Sequence, residues 1–209
     1  IAPRLVNIVK KSDTTRPVTS AVSFPELSTR IGFIDSLDVV GYNYKEEFYV
    51  QDHQRFPDKP FLGSENNHSY SAWKAVLDND FISGQFLWTG IDYLGETRGW
   101  PLHGASFGLL TTAGFEKTSY YKRQSWWSTQ PVVRLVTARL DAGSGEYKPM
   151  YESWNYVSGE EIEVRCYTNQ PDATLYLNGK ICTETVDTTT LGYLTWHVKY
   201  EPGILKVEA

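Results

Sequence analysis

Apolar positions in the first 130 residues come in short continuous runs rather than in strict alternation. "RPVTSAV" (16–22), "LDVVGYNY" (37–44), "KPFLGSEN" (59–66) and "GQFLWTGIDYL" (84–94) begin 21 to 25 residues apart. Continuous β-branched and aromatic runs suit strands buried on both faces, as in parallel sheets. The segments between them, 25–36, 45–56 and 69–83, each have room for a short helix. The clearest is "SYSAWKAVLDNDF". Ala72, Val76 and Asp80 keep helical spacing there, Trp73 and Leu77 stand at i and i+4, and Ser69 or Ser71 can cap the start. Residues 1–11 predict a helix with Leu5, Ile8 and Val9 on one side. Its closing Lys10–Lys11 pair suits the negative end of a helix dipole. A last helix is predicted over 115–131.

After residue 130 the period changes to two. "VVRLVTARL", "EEIEVRCYTN", "ATLYLNGKICTETV", "GYLTWHVKY" and "GILKVEA" alternate, and "DAGSG", "NQPD", "LNGK" and "EPG" separate them as turns. Ile162, Val164 and Cys166 fall on one face, with Glu161, Glu163 and Arg165 on the other. Asn178–Gly179 is a strong hairpin signal. The expected organisation is therefore α/β over residues 1–130, followed by an all-β sandwich over 131–209, with Pro131 at the joint. Four strand–helix units amount to half of a TIM (β/α)8 barrel.

Composition narrows the functional classes. The chain has 209 residues, a net charge of −5 and no basic block, which argues against a nucleic-acid partner. No apolar run reaches the roughly 18 to 20 residues of a bilayer span, and no signal peptide is visible. Ile1 in place of a start methionine, and an apolar run leading to Ala209, suggest a segment cut from a longer sequence. Cys166 and Cys182 read as two buried thiols, and without CxxC or HExxH spacing there is no zinc motif. Seven Trp and 14 Tyr suit sugar faces and sandwich cores alike. Trp154 and Trp196 fall in the sandwich pattern and read as core. His53, His103 and His197 have no partner motif.

Barrel enzymes carry their reactive groups at the C-terminal ends of the strands. Those ends are Tyr42 to Tyr44 after "DVVG", Glu65 after "PFLGS", and Trp88, with Asp92 beyond, after "GQFL". The stretches "LDVVGYNY", "KPFLGSEN", "GQFLWTGIDYLGE" and "SFGLLTTAGFEKTSYY" together resemble glycoside hydrolase family 2 of the β-galactosidase type, including sugar-degrading enzymes of gut bacteria. The resemblance runs over nearly the whole chain. It implies that residues 1–130 hold barrel strands five to eight and that 131–209 form an immunoglobulin-like module, itself truncated. It implies that Glu65 is a catalytic nucleophile, that Tyr44 with Asn43 touches its carboxylate, that His68 binds sugar and that Trp88 floors the sugar site. Asp92 and Glu96 read either as sugar or leaving-group contacts or as loop scaffold.

Retaining hydrolysis needs a second carboxyl group as acid/base. The resemblance implies an Asn-Glu pair for it, and none precedes Glu65. The acid/base is therefore expected outside this chain, and the segment alone is expected to be inactive. A half-barrel would leave sheet edges to pair with the missing N-terminal part or with a second copy. The implied partner is a carbohydrate, with hydrolysis of terminal β-D-galactosides as the activity. Nothing calls for a cofactor, although the family leaves room for a metal ion with ligands partly outside this chain. A bacterial enzyme of this type is expected in the periplasm or secreted. Two alternatives remain. One is a β-glucuronidase or β-mannosidase of the same family, although no Asn-x-Lys clamp for a sugar carboxylate follows the strands. The other is a non-catalytic carbohydrate-binding or interaction module built on the sandwich.

Overall fold

The computed structural model describes residues 1–183, 185–186 and 191–209. The chain divides into two compact units, Ile1–Thr89 and Gly90–Ala209.

The first unit opens with α1 (Ala2–Ser12), which has proline in its first turn and Lys10 and Lys11 in its last. Val6 packs on the core, whereas Leu5, Ile8 and Val9 stay about half exposed. The 16–22 run lies alongside the next strand, parallel to it, but only Val22 forms a bridge, with Tyr42. Two features interrupt the ladder. Pro17 has no N–H to give, and the N–H of Val18 donates to the Asp38 carboxylate at 2.7 Å instead of to a strand carbonyl. The sheet therefore runs through β1 (Val40–Asn43), β2 (Phe61–Asn66) and β3 (Ile82–Leu87), in that order and parallel. Between the strands lie α2 (Pro25–Arg30), α3 (Tyr49–His53) and α4 (Tyr70–Leu77), with short 3₁₀ turns at Ile34–Ser36 and Glu46–Phe48. Ser69 caps α4 by accepting the Ala72 N–H at 3.1 Å.

The core of this unit is aromatic. Tyr42 stacks on Tyr49 with ring centroids 6.1 Å apart, and Phe61 meets both edge-on. The Tyr42 hydroxyl donates to Asp52 at 2.5 Å, and Arg55 holds the other Asp52 oxygen at 3.2 Å. Burial, reinforced by the Asp52 carboxylate, pushes the Tyr42 phenol far above its usual range. The Tyr42 hydroxyl and the Asp52 carboxylate each have a partner that justifies their burial.

The second unit begins with a small hairpin, β4 (Tyr93–Leu94) and β5 (Gly104–Ala105), followed by α5 (Thr118–Trp127). Then come β6 (Val133–Arg139), β7 (Glu161–Thr168), β8 (Thr174–Leu177), β9 (Lys180–Ile181), β10 (Thr185–Val186), β11 (Leu194–Lys199) and β12 (Leu205–Glu208). They form two antiparallel sheets, ordered β10-β11-β7-β6 and β12-β8-β9. Ile162, Val164, Cys166, Leu175 and Trp196 make a shared core with Leu205 and Val207, so residues of both sheets pack together. Asn178 and Gly179 link β8 to β9 with φ of 50° and 78°, the left-handed pair that a tight hairpin turn requires. Both cysteines are free; Cys166 is buried and Cys182 half-buried.

The other face of β7 is not solvated as the alternation suggests. Glu163 and Arg165 are both buried. The Lys148 ammonium donates to Glu163 at 2.7 Å, and Arg165 Nε donates to the second Glu163 oxygen at 2.6 Å. Arg165 also donates to the Gly145 carbonyl at 2.9 Å and lies over the Tyr193 ring at 4.6 Å. The segment that carries Gly145 and Lys148 therefore covers this face. Nearby on α5, burial pushes the Lys122 ammonium down to about 8. Among the described residues, no helix is long and apolar enough to cross a membrane.

Candidate active site

Strand β2 reaches its chemistry through a slip in register. Tyr42 of β1 stands opposite Gly63, yet the next residue, Asn43, stands opposite Glu65. β2 thus carries one extra residue, Ser64, at this point. A bulge of this kind re-aims the side chains that follow it. Here it turns the Glu65 carboxylate toward Asn43, whose Nδ2 donates to Glu65 Oε2 at 3.3 Å. Tyr44 joins through its backbone. Its N–H donates to the Glu65 carbonyl at 2.8 Å, and its φ of 52° is a left-handed turn out of β1. Tyr42, the neighbouring candidate, points into the core toward Asp52. Glu65 is half-buried, open enough to meet a substrate and covered enough to be oriented.

Trp88 and His68 form a second pair. Trp88 follows β3, is 38% exposed, and donates its N–H to the Asn66 carbonyl at 2.9 Å. His68 Nε2 lies 3.1 Å from the Trp88 carbonyl. A carbonyl only accepts, so Nε2 carries the proton in that bond. Asn43, Tyr44, Glu65, His68 and Trp88 are therefore linked, directly or through Asn66, at the strand ends of the first unit.

Asp92 belongs to the second unit and has its own partners. Lys117 Nζ approaches its two oxygens at 2.9 and 3.2 Å, and the Gly108 N–H donates to it at 2.8 Å. Glu96 takes a short hydrogen bond from the Tyr93 hydroxyl. Among the described residues no group of three or more His, Cys, Asp or Glu side chains is placed to hold a metal.

Two residues behind Glu65 add to the site. Asn66 is fully buried and donates from Nδ2 to Glu46 Oε1 in a short hydrogen bond. Tyr49 stands beside it, its phenol pushed by burial to about 12. Gly63 makes room for both: a methyl group there would fall 1.9 Å from Asn66 Oδ1 and 2.9 Å from the Tyr49 hydroxyl. Gly63→Ala is accordingly expected to destabilise the full-length protein by about 1–3 kcal/mol, read from urea midpoints. Glu46 was not legible in the sequence. Its one signal was that it lies two residues beyond Tyr44, in the loop that leaves a strand end.

Residues 159–209 match a family described as a domain of unknown function, DUF4982. Over 260 aligned residues the chain is 33% identical to the β-galactosidase BoGH2A of Bacteroides ovatus, a match that takes in 100% of this chain and 29% of that protein. A crystal structure of a glycosyl hydrolase family 2 member from Bacteroides cellulosilyticus superposes with a TM-score of 0.84 at 33% identity, over 99% of this chain and 28% of the other. A Bacteroides uniformis β-glucuronidase structure shares the fold, with a TM-score of 0.68 at 20% identity over 99% of this chain and 30% of that one. The chain thus spans under a third of the length of each of these relatives.

Proposed function

The chain belongs to glycoside hydrolase family 2, and we propose that it supplies the nucleophile and one wall of the sugar site of a retaining β-galactosidase. The observation that carries this reading is the placement of Glu65: at the C-terminal end of a parallel strand, turned by the extra residue Ser64, and held by the Asn43 amide at 3.3 Å. In this reading the 16–22 run, β1, β2 and β3 are strands five to eight of a (β/α)8 barrel. Residues 131–209 are the immunoglobulin-like sandwich that follows it.

In the first step a Glu65 oxygen bonds to the anomeric carbon as the bond to the leaving oxygen breaks. That oxygen takes a proton from a second carboxyl group, about 5–5.5 Å from Glu65 in retaining enzymes. In the second step water, deprotonated by the same group, attacks the anomeric carbon and frees Glu65. The acid/base carboxyl is assigned to a part of the full-length protein outside these 209 residues. Trp88 offers an aromatic face to the apolar side of the ring, and His68 steadies Trp88 through the bond from Nε2 to its carbonyl. Asp92, held by Lys117, enters the scheme as a loop anchor. The galactoside, rather than another sugar, rests on the likeness to the B. ovatus enzyme over the whole chain.

The test is to treat the full-length protein with a 2-fluoro-β-galactoside bearing an activated leaving group, then to map the adduct by mass spectrometry. A 2-deoxy-2-fluorogalactosyl mass on the peptide containing Glu65 is expected. An adduct on another carboxylate would overturn the assignment of the nucleophile. Labelling by the matching glucuronide alone would overturn the sugar.

A further inference from the structure

We infer that Glu46 is a positioning residue for Glu65, acting through the buried Asn66 side chain. The inference rests on the reading of Glu65 as nucleophile. Residues 43–46 are cross-linked to residues 65–66 three times. The Asn43 amide donates to the Glu65 carboxylate, the Tyr44 N–H donates to the Glu65 carbonyl at 2.8 Å, and Asn66 Nδ2 donates to Glu46 Oε1. The first two set the Glu65 side chain and its backbone. The third, like the first, is accepted by a carboxylate, the stronger kind of hydrogen bond, and it alone of the three is made by a fully buried side chain.

Asn66 also fastens the next strand end, because its carbonyl takes the Trp88 N–H at 2.9 Å. One residue therefore couples the loop after β1, the end of β2 and the start of the segment after β3. Glu46 is the far anchor of that coupling. It stands on the 3₁₀ turn Glu46–Phe48, which runs directly into α3, and α3 is tied to β1 through Asp52 and the Tyr42 hydroxyl. Without the Glu46 carboxylate the buried Asn66 amide loses its acceptor. The 43–46 loop then loses the bond that keeps the Asn43 amide on Glu65. A displacement of the nucleophile by about 1 Å is enough to cost about 10²-fold in rate.

The experiment uses the full-length protein and three variants. Glu46→Ala should lower kcat on an aryl β-galactoside about 10- to 100-fold with KM changed by less than about threefold, since ground-state binding is left in place. The rate of labelling at saturating 2-fluorogalactoside should fall by the same factor, with the adduct still on Glu65. Glu46→Gln keeps an oxygen that accepts the Asn66 bond and should return kcat to within about threefold of the parent. Unchanged kcat in Glu46→Ala would overturn the inference. So would Glu46→Gln as impaired as Glu46→Ala, because the negative charge itself would then be what the reaction uses. If Glu46→Ala fails to fold, Glu46→Asp decides. It keeps the charge but falls one methylene short of Asn66, so a loss of kcat supports the positioning role and the parent rate overturns it. An adduct away from Glu65 would defeat the functional reading itself. An adduct on Glu65 formed at the parent rate in Glu46→Ala would defeat only the role of Glu46.

Discussion

Glu65→Gln in the full-length protein should lower kcat on an aryl β-galactoside by at least about a thousandfold, or ~4 kcal/mol of lost transition-state stabilisation. The substitution is close to isosteric. A glutamine oxygen can still accept the Asn43 amide, and the backbone bond from Tyr44 to the carbonyl of residue 65 does not involve the side chain. Residue 65 is half-buried at a strand end, so the change leaves no cavity and no stranded charge. What is lost is the anionic oxygen that attacks the anomeric carbon. The thermal midpoint should therefore stay near that of the parent while turnover collapses. Steady-state kinetics beside a melting curve check both halves, and parent-like turnover would end the assignment.

The second large effect is on stability and concerns the other unit. Glu163→Ala should destabilise it by about 3–5 kcal/mol, measured by urea unfolding. Glu163 is the counter-charge for two buried cations. The Lys148 side chain is completely covered and that of Arg165 is 3% exposed. Removing the carboxylate leaves both charges buried without it. Replacing all three residues by apolar side chains of similar volume should cost far less, because the desolvation of the ions disappears with them.

The same group sets a pH dependence. Burial pushes the Glu163 carboxyl up, but the hydrogen bonds and charges of Lys148 and Arg165 outweigh burial and hold it below its usual range. Its contribution is therefore complete above the unfolded value of about 4.3 and is lost as pH falls through the lower folded value. The stability gap between the parent and Glu163→Ala should narrow in acid below pH ~4.

Local physics made much of this legible in advance. The α4 helix follows from the spacing of Ala72 and Val76 and from the Ser69 cap. β2 follows from an apolar run that ends in a carboxylate, and the Asn178–Gly179 turn from two residues that tolerate positive φ. Where reading failed, a tertiary contact overrode a local pattern. The 16–22 run has strand composition, but Asp38 takes a donor that a ladder would use. Glu163 and Arg165 alternate like a solvated face, yet a segment 15 to 20 residues earlier covers them and supplies Lys148. The slip at Ser64, which aims Glu65, depends on the register between two strands, and one strand's sequence does not encode a register. Glu46 was hidden for the same reason, since its partner Asn66 is twenty positions away.

The close fit at Gly63 has an evolutionary consequence. Because the space beside its α-carbon is filled by the amide of residue 66, the two positions should covary among homologues. Lineages that keep asparagine at 66 should be confined to glycine at 63, and a side chain at 63 should arise only alongside a smaller residue at 66.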